Sequence, residues 1–500
     1  MISGQAGILA AIVIYLLAMV YVGFYFSKKG SGDSADDFYL GGRKLGPFVT
    51  AMSAEASDMS SWLLMGLPGV AYLTGIADAG WTAIGLGIGT YLNWLIVAQR
   101  LRRYSIVCNA ITIPDFFSRR FKDDKNILMC ISAIIILVFF IPYTASGFKA
   151  IGTLFSSLFG TDYHIAMIVG AVVIVGYTVM GGFMAVSTTD LIQSVVMSIS
   201  LVVIVFYGIH MAGGWSQVVD NATSLAGYLS MTQMHDRSTA AATPYGLLTT
   251  VSTLAWGLGY FGMPHILLRF MAIEEEKKLV LSRRIATVWV LISMCVAILI
   301  GIIGYGASVA GSIPMFTTSS QSETVIIQFA HLLGQNGFLL SLVAGVVLAG
   351  ILACTMSTAD SQLLTAASGV SQNLLQDFLK IKMSTAASMN AAASLLWNPD
   401  SSVFTIVSFA WAGFGASFGP LVLFALFWRR TNMQGALAGM ITGGVMVFVW
   451  KYLVRPLGGN FNIYELLPAF VLSCLAIVIV SLLTKEPSKE IYDEFDSVGK

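Results

Sequence analysis

Apolar residues run through the chain in stretches of about twenty, parted by short polar joints. That is the pattern of helices crossing a hydrocarbon core roughly 30 Å thick. About thirteen spans are expected. The first, about Ala6 to Phe26, lacks a small-residue cleavage site and reads as a retained span rather than a signal peptide. The second is Pro47–Gly69 and the third about Trp81–Val97, with others near 127–156, 164–181 and 187–212. The longest polar loop, 213–243, separates these from runs at Tyr245–Met271, 285–309 and Phe338–Val370. A weak segment, Met383–Trp397, precedes the last three runs, near 403–428, 435–453 and 464–483.

Two spans break the pattern. The middle of span 2 holds Glu55, Ser57, Asp58, Ser60 and Ser61. An acid at bilayer depth costs about 2.5–3.5 kcal/mol, so it faces a cavity, a partner or an ion. Span 7 carries Gly257, Gly259, Gly262 and Pro264 within nine residues of Trp256, which disfavours a continuous helix. Two interrupted spans that open corresponding halves point to a transporter site built from inverted repeats. The chain therefore divides into an extra N-terminal span in 1–28, repeats of five spans in 47–212 and 244–428, the extracytoplasmic loop 213–243, two C-terminal spans in 429–484 and a tail, 485–500. The span 7 glycines are read as the interruption rather than as close helix packing. On span 9, Ser357 and Thr358 are adjacent hydroxyls. They can back-bond to their own helix or complete an oxygen shell for a hard cation. Asp190 reads either as an acid favoured by a helix N-terminus or as a group on an ion path.

Composition agrees with a polytopic membrane protein: 56% hydrophobic and 11% charged, against about 25% charged in soluble domains. With thirteen crossings and the N-terminus outside, 23 of the 27 lysines and arginines fall on the cytoplasmic side, as the positive-inside rule demands. A net charge of +1 gives no reason to expect nucleic-acid binding. The five cysteines and five histidines lack metal-ligand spacing. No nucleophile–base pair suggests an enzyme, and no obligate protein partner is evident.

At this point the motifs are recognisable. Gly41-Gly-Arg-Lys-Leu-Gly-Pro-Phe, Ser57-Asp-Met-Ser, Trp62-Leu-Leu-Met-Gly-Leu-Pro-Gly, Trp256-Gly-Leu-Gly-Tyr-Phe-Gly-Met-Pro-His, Met356-Ser-Thr and Ala410-Trp-Ala-Gly-Phe-Gly-Ala closely resemble the sodium/solute symporter family, in its proline branch. The resemblance covers nearly the whole chain. It implies a leucine-transporter-like fold of five plus five inverted helices and sodium-coupled uptake of L-proline across a bacterial inner membrane. The C-terminus would be cytoplasmic. Carried over by position, sodium would meet the backbone oxygens of Ala56, Met59 and Cys354 and the hydroxyls of Ser357 and Thr358. Asp58 would couple the ion to substrate, and Asp190 would lie on the ion's exit path. Proline would sit beside Ser60, Ser61, Tyr143, Trp256, Tyr260 and Pro264, with Trp62 mattering less than Trp256. The alternatives are a same-fold symporter for another small zwitterion or osmolyte, and a solute-binding sensor without coupled transport.

Four departures from the family pattern stand out. Glu55, Ser61 and Thr188 replace the usual glycine, glycine and tryptophan. Span 10 is reduced to 383–397. A crossing is still expected there, because Lys380, Lys382, Arg429 and Arg430 otherwise violate the charge rule. The fold is expected to survive, with transport slowed or lost.

Overall fold

The computed structural model describes residues 2–28, 35–369 and 402–499. Among them, nine helices are long and apolar enough to cross a membrane. The proposed short span 383–397 lies outside the described residues.

Helix α1 (Ile2–Lys28) is followed by the short α2 (Ala35–Leu40). The interrupted second span is α3 (Pro47–Asp58), a wide turn at Trp62–Gly66, and α4 (Leu67–Thr74). Helix α5 (Ile76–Leu92) runs through another wide turn, Asn93–Val97, into α6 (Ala98–Val107). Beyond α7 (Ile113–Arg120) and α8 (Ile127–Phe159), the two spans expected at 164–181 and 187–212 form one 49-residue stretch, α9 (Tyr163–Met211). It turns at Gly182, whose φ of 58° and ψ of −161° lie outside the helical region. A Cβ there would meet the carbonyl oxygen of Phe38 at 3.1 Å, so both conformation and space require glycine.

The long polar loop is more structured than its composition suggests. It holds α10 (Trp215–Thr223) and an antiparallel hairpin, β1 (Gln233–Asp236) with β2 (Ala241–Pro244), in which His235 pairs with Ala242. Arg237 clamps it down, donating to the carbonyls of Leu73 at 3.1 Å, Tyr72 at 2.8 Å and Phe316 at 2.5 Å.

The second interrupted span is α11 (Leu247–Leu254), a tight 3₁₀ stretch (Ala255–Gly262), and α12 (Pro264–Ala272), with Pro264 in the first turn of α12. Proline suits that position, where its missing N–H has no helical partner. The glycines here are packing residues as well as helix breakers, which corrects the reading from sequence. Cβ atoms added at Gly257, Gly259 and Gly262 would lie 2.2 Å from the Gly85 carbonyl, 1.9 Å from the Trp411 indole nitrogen and 2.3 Å from the Phe414 carbonyl. The remaining helices are α13 (Leu279–Val309), α14 (Ser319–Ser322), α15 (Val325–Gly334), α16 (Phe338–Ser368), α17 (Val403–Phe427), α18 (Met433–Val449), α19 (Leu466–Leu483) and α20 (Lys489–Val498).

The loops gather at two ends. At one, Arg43 donates to Ser105 Oγ, Met271 O and Ala110 O at 2.9, 2.8 and 2.6 Å. Arg103 pairs with Glu276 at 2.6 Å, Lys122 with Glu490 at 3.1 Å and Arg429 with Asp496 at 3.0 Å. Loops grouped by charge thus meet in space. At the other end Glu323 pairs with Lys149 at 3.6 Å and accepts from Ser402 Oγ at 2.8 Å and the Val403 N–H at 3.1 Å. Helix α16 leaves that second end. Its following residue, Gly369, lies beside Ala133 near the start of α8, on the side of the first end.

Candidate functional site

The site starts from one rearranged hydrogen bond. Helix α3 stops at Asp58, and Met59 (φ −75°, ψ 66°) leaves the helical region. The Ser60 N–H, which would otherwise bond Ala56 O four residues back, bonds Asp58 O at 2.8 Å. Ala56 O is thereby released from the ladder and accepts from Ser357 Oγ at 2.8 Å. Ser357 Oγ and Thr358 Oγ1 each lie 3.2 Å from Cys354 O. Four of the five oxygens named from the resemblance are therefore joined by hydrogen bonds, and Met59, the fifth, is the residue at which the helix ends. The two readings of Ser357 and Thr358 are not exclusive: both hydroxyls back-bond, and Ser357 also reaches across to α3.

The substrate candidates gather around the same break. Tyr260 OH donates to Asp58 Oδ2 at 2.5 Å, and Tyr143 OH reaches Asp58 O at 3.4 Å. Ser60 and Ser61 are buried, and Ser61 Oγ has no hydrogen-bond partner. Trp256 stacks on Tyr464, centroids 5.1 Å apart, and Trp411 donates to Trp256 O at 2.8 Å. Pro264 is buried at the start of α12. Trp62 lies close by: its ring is 6.2 Å from Trp256, and its N–H points to Asp58 O at 3.3 Å. Beyond Trp256 opens a cavity of about 340 Å³ lined by Asp78, Phe404, Lys451, Arg455 and Tyr464 among others. It lies toward the Glu323 end of the molecule.

Asp190 is not a helix-terminal acid. It is fully buried within α9 and pairs with Arg269 at 3.1 Å. Ser53 Oγ donates to Asp190 Oδ2 at 2.6 Å, and Arg269 donates to Ser361 Oγ at 2.6 Å, Ser53 Oγ at 3.0 Å and His265 O at 2.8 Å. Ser361 reaches Asp360 Oδ1 at 3.3 Å, and Tyr177 OH donates to Asp360 Oδ2 at 2.7 Å. Sequence reasoning counted Arg269 among the cytoplasmic basic residues, yet it is 1% exposed. An arginine inside the apolar run Ile266-Leu-Leu-Arg-Phe-Met was the signal that it belongs to the interior. Asp360, Ser53 and Tyr177 were missed as its neighbours.

The family departures are also placed. Glu55 is buried, with Trp94 Nε1 donating to Oε1 at 2.9 Å. Thr188 Oγ1 back-bonds to Met184 O at 2.8 Å and takes no part in the cluster. Among the described residues no three His, Cys, Asp or Glu side chains converge as a transition-metal site would require. The groups that do converge are hard oxygens, suited to an alkali or alkaline-earth cation.

Comparisons with known proteins agree with this geometry. Residues 38–443 match the model of the sodium:solute symporter family. A sodium/proline symporter of Haemophilus influenzae is 41% identical, the alignment covering 98% of this chain and 97% of that protein. One of Staphylococcus aureus is 38% identical, over 97% and 94%. Among solved structures, a substrate-bound, outward-open Na⁺-coupled sialic acid symporter matches with a TM-score of 0.75 at 19% identity, covering 97% of this chain and 99% of that one. A nucleobase–cation-symport-1 family transporter matches with a TM-score of 0.53 at 14% identity, over 92% and 98%. The fold is the leucine-transporter type, and the chain belongs to the sodium:solute symporter family.

Proposed function

We propose that the protein imports L-proline with sodium by alternating access. The observation that carries this is the junction of α3 with α16, where the Ala56 carbonyl released by the helix break accepts from Ser357 of the facing helix, and Ser357 and Thr358 share the Cys354 carbonyl. Its relatives are sodium/proline symporters along nearly their whole length. Sodium binds at Ala56, Met59, Cys354, Ser357 and Thr358. Asp58 supplies long-range attraction in a poorly screened interior, and Tyr260, hydrogen-bonded to it, relays ion occupancy to the substrate wall. The proline ring packs against Trp256 and Tyr260, as an apolar ring suits an aromatic face. Tyr143, Ser60, Ser61 and Pro264 border the same space. Asp190, tied to Arg269, borders the route by which the ion leaves. The two repeats, 47–212 and 244–428, move against each other. The test is uptake of radiolabelled proline in proteoliposomes. Accumulation that needs a sodium gradient supports the reading. Accumulation of another solute, or saturable binding without accumulation, overturns it.

The same proposal fixes topology. The protein lies in a bacterial inner membrane, with the Arg43, Arg103 and Arg429 end in the cytoplasm. The start of α17 lies at the Glu323 end, whereas Gly369 lies toward the opposite one. A crossing between them completes the second repeat and thirteen spans. The brevity of segment 383–397 slows the cycle. Single cysteines at the exposed Thr405 and Arg429, in a background lacking the native ones, report the sides. Impermeant label from outside should reach Thr405→Cys and not Arg429→Cys. The reverse pattern would contradict the crossing.

A further inference from the structure

The proposed sodium site leaves one charge unaccounted for. Glu55 and Asp58 stand one helical turn apart on the same face of α3, both fully enclosed. The two fully buried ion pairs among the described residues, Lys149–Glu323 and Arg269–Asp190, involve neither of them. Each carboxylate makes one hydrogen bond and leaves one oxygen over. Glu55 Oε1 takes the Trp94 N–H at 2.9 Å while Oε2 has no partner. Asp58 Oδ2 takes the Tyr260 hydroxyl at 2.5 Å while Oδ1 has no partner.

Two more oxygens lie in the same neighbourhood. Asn93 donates its amide N–H to Tyr260 O at 3.0 Å, and its Oδ1 is unpartnered. Thr90, three residues earlier in the last turn of α5, interacts with the Tyr260 side chain. Apart from that contact its Oγ1 has no partner and makes no bond to its own helix. Thr178, Thr189 and Thr365 by contrast back-bond, while Thr82 on the same helix is left free as Thr90 is. Trp94 holds Glu55, Tyr260 holds Asp58 and Asn93 binds the Tyr260 carbonyl, so these contacts gather the four side chains around Tyr260 and the end of α3. Buried acceptors without donors are costly unless something satisfies them. Two carboxylates, an amide oxygen and a hydroxyl form a hard, all-oxygen set.

We propose that this cluster is a second sodium site, held by Glu55, Asp58, Asn93 and Thr90. It is distinct from the one at Ala56 and Ser357, which lies on the face of α3 turned to α16. Two sodium ions then match the two carboxylates, and Glu55, the residue that departs from the family's glycine, is what adds the second. The inference rests on the sodium coupling proposed above.

Equilibrium binding of radioactive sodium to the purified full-length protein, with proline present, tests it. The wild type should bind two ions per chain and Glu55→Gln one, since glutamine keeps the bond to Trp94 and removes only the charge. Thr90→Val, which preserves shape, should weaken the weaker binding step about tenfold and leave the other unchanged. One ion per chain in the wild type, or two in Glu55→Gln, would overturn the second site and leave the first standing. One ion accompanied by uptake of a proton on a pH electrode would mean that Glu55 holds a proton, and overturns it as well. No sodium bound at all would overturn the coupling itself.

Discussion

The interior holds two acid clusters that differ in one respect. Asp190 and Asp360 enclose their own cation, Arg269, whose guanidinium bonds Asp190, Ser53 and Ser361. Glu55 and Asp58, on the adjoining α3, enclose none and keep two oxygens unsatisfied. Both clusters are buried in a medium that penalises uncompensated charge. The first is a structural clasp joining α3, α9, α12 and α16 around that guanidinium, with Asp190 Oδ1 alone left over. The second, in the proposal above, is completed by a cation from outside. Burial alone therefore does not tell the two apart; what differs is whether the fold supplies the matching base.

The sharpest way to break the contrast is to remove the internal cation. Arg269→Leu leaves Asp190 and Asp360 without a counter-charge, and breaking a buried pair in this way costs on the order of 3–5 kcal/mol. The variant should lose most of its folded yield in detergent. Arg269→Leu with Asp190→Asn should recover part of it, and no recovery would mean that the arginine acts elsewhere. A smaller effect belongs to the substrate wall. Trp256→Ala and Tyr260→Ala should raise the half-saturating proline concentration about tenfold. Trp215→Ala, on the exposed α10, should leave it unchanged and is a fairer control than Trp62, which packs on Trp256. Equal effects at all three positions would indicate general damage. The smallest effect is expected for Tyr177→Phe, which removes the hydroxyl donor to Asp360. Thermal stability should fall by ~1 kcal/mol, and the half-saturating sodium concentration should not move. A shift in sodium dependence would show that the two clusters are not separate.

Much of this was legible from residue pattern. The acid and serines of span 2 marked the helix break, and the structure ends α3 at Asp58. Ser357 of the hydroxyl pair on span 9 meets that break. Other features were not. Arg269 sits near the cytoplasmic end of span 7 in the sequence and counts there as a basic residue, because sequence distance from a span's end does not reveal depth. The group of Thr90, Asn93 and Trp94 lies on a helix with no unusual composition, so only the fold brings it against Glu55. The span 7 glycines showed that one residue type can both unwind a helix and admit a neighbouring backbone, as Gly257 does against Gly85. The hairpin in 213–243 was hidden by its small size and polar sequence.

The central claim is that an acid left without a base draws the driving ion to the break in α3. Proline uptake by Asp58→Asn, measured against sodium concentration in proteoliposomes, tests it most directly. The side chain keeps its shape and loses only its charge, in an interior with little water to screen it. The half-saturating sodium concentration should rise tenfold or more, about 1.4 kcal/mol of lost attraction, while the protein remains folded. An unchanged value would contradict the account and leave Asp58 as no more than a hydrogen-bond partner for Tyr260.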